Sequence, residues 1–152
     1  MGEIFFAREA QITYKRREPG ERKLGTRIAL STEAATHIRH AIGDVPVEHF
    51  VVLALDARQR VIARSTIAIG GATFCGVEVA SVLRFAILAG AVAIIVGHNH
   101  PSGDPSPSPE DVVLTERIFA AAKLIGIKAL DHVIVADEGH FSFLDAGLVK
   151  VV

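Results

Sequence analysis

The sequence predicts a mixed α/β fold: an α/β or α+β sandwich in which helices flank a mixed central β-sheet. Three observations carry that expectation. Segments of helical spacing alternate with strand-like runs along the chain, and one hairpin pattern sits near each end. Two runs, EHFVVLALD and AVAIIV, are apolar on both faces, as strands buried between two layers are. The 152 residues are one domain's worth of chain; half are hydrophobic and 22% charged, which excludes intrinsic disorder. Residues 1–30 read as an N-terminal arm or edge hairpin, and 31–152 as a single domain without repeat or linker.

Each element has a local cause. STEAATHIRHAI, Ser31 to Ile42, is an amphipathic helix with Ser31 as N-cap, Glu33 in its first turn and Gly43 as its stop. His37 and His40 on it read as surface histidines, since no third ligand accompanies them. Pro46 introduces the buried strand Glu48 to Asp56, and Asp56 to Arg60 turns the chain into the antiparallel partner VIARSTIAI. Gly70-Gly71 breaks it, and ATFCGVEV continues as a further extended piece or loop. Val79 to Leu88 is helical, with Val82, Phe85, Ala86 and Ala89 on one face and Gly90 as the stop. Ala91 to Val96 is apolar on both faces and therefore central. Ser108 caps the next helix, with Pro109 at its first position and Leu114, Ile118, Ala121 and Ile125 on one face up to Gly126. Ile127 to Ala136 is a strand containing His132, read as a hydrogen-bonded core histidine. Asp137-Glu138-Gly139 then turns into the short return strand HFSF, and Ser142 and Asp145 have capping-box spacing for a last short helix.

Composition narrows the function classes. A formal net charge of −1 gives no global case for nucleic acid. Between Lys15 and Arg27, six basic residues face two acidic ones, which reads as a solvated arm with a secondary chance of nucleic-acid contact. The single Cys75 excludes an internal disulfide or CxxC site, fits a reducing cytoplasm, and reads as a small packed hydrophobe. MGEIFFAREAQ lacks the pattern of a signal peptide, and the 13-residue FAILAGAVAIIVG is too short to span a membrane.

The chemistry concentrates in His98-Asn99-His100-Pro101, six further residues, and Ser108-Pro109-Glu110-Asp111. Two histidines at i and i+2 in extended backbone point the same way, where a buried strand leaves the core. The Pro/Ser/Gly-rich loop returns the chain so that Asp111 projects from the first turn of a helix. Two imidazole nitrogens and one carboxylate are a standard Zn²⁺ set that leaves a fourth position open, so the candidate metal ligands are His98, His100 and Asp111. Asp104 and Glu110 are rival carboxylates: turn chemistry explains the first, and the second points off Asp111's side of the helix. No HExxH is present, so a general base must come from elsewhere in the chain.

His98-x-His100-Pro101-x6-Ser108-x2-Asp111, with Glu48 opening an upstream hydrophobic strand, resembles the JAMM (MPN-plus/JAB) zinc metalloprotease motif. HNHPSGDPSPSPED and LDHVIVADEGHFSF closely resemble the RadC-like bacterial proteins within that superfamily, and the similarity runs from about Glu48 to Leu148. The resemblance implies an MPN/JAB-like (cytidine-deaminase-like) domain and a zinc-dependent peptidase or isopeptidase acting on a peptide or protein conjugate. It also implies catalytic roles for Glu48, which would hold and deprotonate the attacking water, and for Ser108, which would hydrogen-bond the tetrahedral intermediate; Glu78 is the rival base. Two departures stand out. Val77-Glu78-Val79 runs into Ala80-Ser81 where relatives carry His-Pro, and the 47 residues before Glu48 are too few for the helix-hairpin-helix-like region of longer RadC proteins. The competing functions are a metal-binding MPN interaction module without catalysis and a DNA-associated RadC-like protein.

Overall fold

The computed structural model describes residues 25–42, 44–70 and 76–151. Among the described residues, three helices and five strands follow in the order α1 (Ser31–Ile42), β1 (His49–Leu55), β2 (Val61–Ile69), α2 (Val79–Leu88), β3 (Ala93–Asn99), α3 (Pro109–Leu124), β4 (Lys128–Ala136) and β5 (Gly139–Ser142). The strands form one mixed sheet in the order β2-β1-β3-β4-β5, in which only β3 and β4 run parallel. This is the mixed α/β architecture expected, with β3 at its centre.

The sheet is sandwiched. Odd-numbered residues of β1 (Val51, Leu53, Leu55) join Ala34, Ile38 and Ile42 of α1 in one core. Even-numbered Phe50 and Val52 join Val82 and Ala86 of α2 and Leu114, Ile118 and Ala122 of α3 in the other. That period-2 division of a two-faced strand explains why β1 shows no amphipathic alternation in sequence. Each fully buried aliphatic side chain contributes roughly 1.5–3 kcal/mol by leaving water.

Several boundaries and faces differ from the sequence reading. The central strand runs from Ala93 to Asn99, not Ala91 to Val96, because β1 and β4 pair with it past Gly97 and bring the first motif histidine inside the sheet. On α3 the buried stripe is Asp111, Leu114, Thr115, Ile118 and Ala122, whereas Ile125 is the exposed C-cap. Val82 and Ala86 are the buried residues of α2, with Phe85 half-buried and Ala89 its C-cap. His37 is buried beside the Ala34–Ile38–Ile42 stripe of α1 and not on the surface; His40 is exposed. The expected last helix is a run of turns. The Ser142 hydroxyl accepts from the Asp145 N–H as a cap would and donates its own proton to buried Asp131, but Gly147 at φ 71° keeps the turns from continuing as a helix. Cys75, Gly43 and residues 15–24 of the basic segment lie outside the described residues, while Gly25 to Ile28 run beside the start of β2. Among the described residues no helix is long and apolar enough to cross a membrane.

One glycine sets the distance between layers at the site. A Cβ on Gly97 would collide with the Ile38 side chain of α1 and lie 2.7 Å from the backbone carbonyl of Val133. The backbone contact cannot yield, so Gly97→Ala is expected to cost about 1–3 kcal/mol or more, read as a lowered urea midpoint. An unchanged midpoint would show that α1 is not seated as described.

Candidate metal centre

The C-terminal end of β3 aims two imidazoles at the N-terminus of α3. His98 shares the helix-α3 face of the sheet with Ile94 and Val96, because side chains alternate along a strand, and it is wholly buried with its ring stacked on Phe50. His100 follows on the same side, half-buried, its N–H bonded to the Val135 carbonyl. Gly103 at φ 91° lets the loop fold back, so that the Asp104 carbonyl accepts from His100 Nδ1 at 2.9 Å. That bond leaves His100 Nε2 facing inward, 2.9 Å from His98 Nε2.

Asp111 completes the group from the first turn of α3. Ser108 and Asp111 form a reciprocal capping box. The Ser108 hydroxyl accepts from the Asp111 N–H at 3.1 Å, and the Ser108 N–H and hydroxyl both donate to Asp111 Oδ2 at 2.8 Å. One carboxylate oxygen is thereby fixed. The other, Oδ1, is buried without a hydrogen-bond partner among the described residues and lies 3.3 Å from His98 Nε2; Oδ2 is 3.5 Å from His100 Nε2.

These separations suit a metal ion. Donor atoms about 2.05 Å from a tetrahedral Zn²⁺ lie ~3.3 Å apart; His98 Nε2 stands 2.9 Å from His100 Nε2 and 3.3 Å from Asp111 Oδ1, and one donor atom from each of the three residues falls within 4.8 Å of the others. A buried carboxylate oxygen that accepts no hydrogen bond among the described residues, 3.3 Å from a ring nitrogen, has the chemistry of a cation donor. Electrostatics agree. Burial alone would raise the Asp111 pKa, but His100, His98 and the Ser108 donors together hold it well below the usual carboxylate range. The Asp111 carboxylate raises the pKa of His100, whereas burial and the adjacent His132 push that of His98 well down.

The chain matches the RadC-like JAB domain family over residues 28–148. It is 43% identical over 106 residues to a UPF0758 protein of Desulforamulus reducens, covering 70% of this chain and 47% of the relative. A UPF0758 protein of Carboxydothermus hydrogenoformans is 41% identical with the same coverage. A third, from Geotalea uraniireducens, is 38% identical over 123 residues, covering 81% of this chain and 54% of the relative. This chain belongs to the RadC-like JAB domain family. It spans about half the length of the curated relatives it matches. The JAB fold and the His98–His100–Asp111 group are consistent with a metal-dependent hydrolase.

Within this JAB domain, Glu48 stands immediately before β1, its carbonyl accepting from Gly70 N–H at 2.8 Å. Its Oε2 is buried with no hydrogen-bond partner among the described residues. Burial raises its pKa, and its carboxylate is near enough to His100 and Asp111 for their charges to act on it. The rivals lie elsewhere. Glu78 is exposed at the N-cap of α2, Glu110 is exposed on α3, and Asp104 Oδ1 accepts from Ser106 N–H in its turn. Ser108's single hydroxyl proton is on Asp111 Oδ2, so donation to a substrate oxygen requires that proton to switch partners.

Asn99, the middle of the HNH run, has a role that the sequence alone does not show. Where the β1–β3 ladder ends at Phe50 and His98, the Asn99 amide extends it: Oδ1 accepts from His49 N–H at 2.7 Å and Nδ2 donates to the Val47 carbonyl at 3.0 Å. Those two bonds bracket Glu48 and tie it to the strand carrying both histidines. An amide is the one short side chain offering a donor and an acceptor side by side, which is the signal the sequence held. His132 and Thr115 lie behind His98. His132 Nε2 is 2.8 Å from His98 Nδ1, and His132 Nδ1 is 2.5 Å from Thr115 Oγ1. Burial lowers the His132 pKa to about 4.

Ser108→Ala removes the side-chain half of the capping box while the Ser108 N–H still reaches Oδ2. The expected loss is about 1 kcal/mol in urea unfolding. No loss would mean the box does not hold the start of α3.

Proposed function

We propose that this domain is a zinc-dependent peptidase or isopeptidase that hydrolyses an amide bond in a peptide or protein conjugate. The observation that supports it most is the buried Asp111 Oδ1, without a hydrogen-bond partner among the described residues and 3.3 Å from His98 Nε2, together with a second such carboxylate oxygen on Glu48 near enough to feel the Asp111 charge. His98, His100 and Asp111 would hold Zn²⁺, with a fourth position left for water or substrate. Zn²⁺ so held supplies a Lewis acid and lowers the pKa of a coordinated water to about 7.

The chain's own groups supply the rest. Glu48 Oε2 takes the proton of the attacking water and returns it to the leaving amine nitrogen; its raised pKa makes it a stronger base than a solvated glutamate. Asn99 holds the backbone on both sides of Glu48, which fixes the point from which its side chain projects. Ser108 Oγ donates to the oxygen that gains charge as the carbonyl becomes tetrahedral. His132 is wholly buried and lies behind His98, out of reach of substrate.

The reading is tested with purified protein loaded with zinc and offered peptide and isopeptide-linked conjugates. Cleavage that stops on chelation and returns with zinc is expected. Stoichiometric zinc without cleavage, and unaltered partner capture by a Glu48→Gln variant, would instead favour a metal-binding interaction module.

A further inference from the structure

Protons behind the site can be placed one by one. Thr115 lies one turn after Asp111 on α3, and its hydroxyl is 2.5 Å from the Asp111 carbonyl. A carbonyl only accepts, so the Thr115 proton is committed there, as threonines in helices commonly do toward residue i−4. Thr115 Oγ1 must then accept across its second contact, the 2.5 Å approach of His132 Nδ1. His132 therefore carries its proton on Nδ1.

His132 is 0% exposed, stacked on Phe143 at 8° between planes and edge-on to Phe50. Such an apolar sandwich keeps the ring neutral, so Nε2 holds a lone pair. That lone pair meets His98 Nδ1 at 2.8 Å, and the proton between them belongs to His98. With Nδ1 protonated, His98 turns the Nε2 lone pair toward His100 and Asp111. That is the tautomer a ligand at this position needs.

The sheet makes a specific adjustment to bring this about. Pairing of β3 with β4 skips a residue, from Ile94↔Ala129 to Ile95↔Asp131, leaving Leu130 as an extra. Without that insertion His132 would face α1; with it, His132 shares the face of His98 and α3. The same shift puts Asp131 on the other side, where Ser142 Oγ–H and Leu144 N–H satisfy it.

We propose that Thr115 and His132 are positioning residues: acting through one another, they fix the tautomer and ring orientation of His98 for metal binding. The role rests on the metal reading above and adds to it the groups that prepare the ligand.

The test uses His132→Phe, which keeps an apolar ring and removes the acceptor, together with Thr115→Val and Thr115→Ser. Zinc affinity is read by competition with a chromophoric chelator, and histidine tautomers are read by long-range ¹H–¹⁵N NMR of the metal-free protein. Wild type should show Nδ1–H on both His98 and His132. His132→Phe should weaken zinc about 10–100-fold and Thr115→Val by about tenfold, while Thr115→Ser stays within about twofold because it keeps the hydroxyl. Wild-type zinc affinity in both folded His132→Phe and Thr115→Val, or a His98 proton on Nε2, would overturn the proposal. Should His132→Phe fail to fold, Thr115→Val, close in shape to threonine, and the wild-type spectrum still decide it. Wild type that binds no zinc would overturn the metal reading itself, an outcome distinct from equal binding by all variants.

Discussion

Glu48→Gln is expected to leave the domain folded and able to take up zinc while removing its hydrolytic turnover. Glu48 Oε2 has no hydrogen-bond partner among the described residues, and burial raises its pKa, so a neutral amide of the same shape relieves a desolvated charge. Unfolding free energy should therefore be unchanged or slightly increased. Loss of a positioned acid–base group costs about 10²–10⁴-fold in rate, which puts the variant at or near background. Turnover of zinc-saturated variant and wild type under identical conditions makes the comparison. A variant within tenfold of wild type would remove Glu48 from the proton transfer and direct attention to other carboxylates.

Asp111→Asn is expected to separate metal binding from folding just as sharply. The asparagine oxygen can still accept from Ser108 N–H and hydroxyl, so the start of α3 stays capped. Its amide nitrogen would donate where Oδ1 now faces His98 Nε2, filling the place a cation would take. Metal-free Asp111→Asn should thus be as stable as metal-free wild type, or more so. Zinc at a hundred times its dissociation constant stabilises a binding protein by about 2.7 kcal/mol; wild type should show that gain and the variant none. Thermal or urea unfolding with and without zinc is sufficient. An equal gain in both proteins would place the ion elsewhere.

Much of this was legible in the chain because local chemistry and tertiary structure agree. Ser108 and Pro109 mark a helix start in the sequence and stand there in the structure, whereas Ser31 is the first residue inside α1 and not its cap: the Leu30 carbonyl takes the first helical bond and the Ser31 hydroxyl lies 3.3 Å from His140 Nε2. The HNHP run and the Ser-x-x-Asp step fix donors at spacings that strand and helix geometry then bring together. What stayed hidden depends on pairing between distant strands. The extra residue at Leu130 changes which face His132 occupies, and no local pattern in KALDHVIVA announces it. Asn99 is informative only once β1 is known to end beside it. The last helix failed although its cap bond forms: the Ser142 hydroxyl accepts from Asp145 N–H, but Gly147 takes a φ of 71° and the segment stays a run of turns.

Zinc-edge anomalous diffraction from crystals of the zinc-loaded protein bears on the central claim most directly. The predicted result is a single strong peak about 2.0–2.2 Å from Nε2 of His98, Nε2 of His100 and Oδ1 of Asp111. A zinc-saturated crystal with no peak between those three atoms would contradict it.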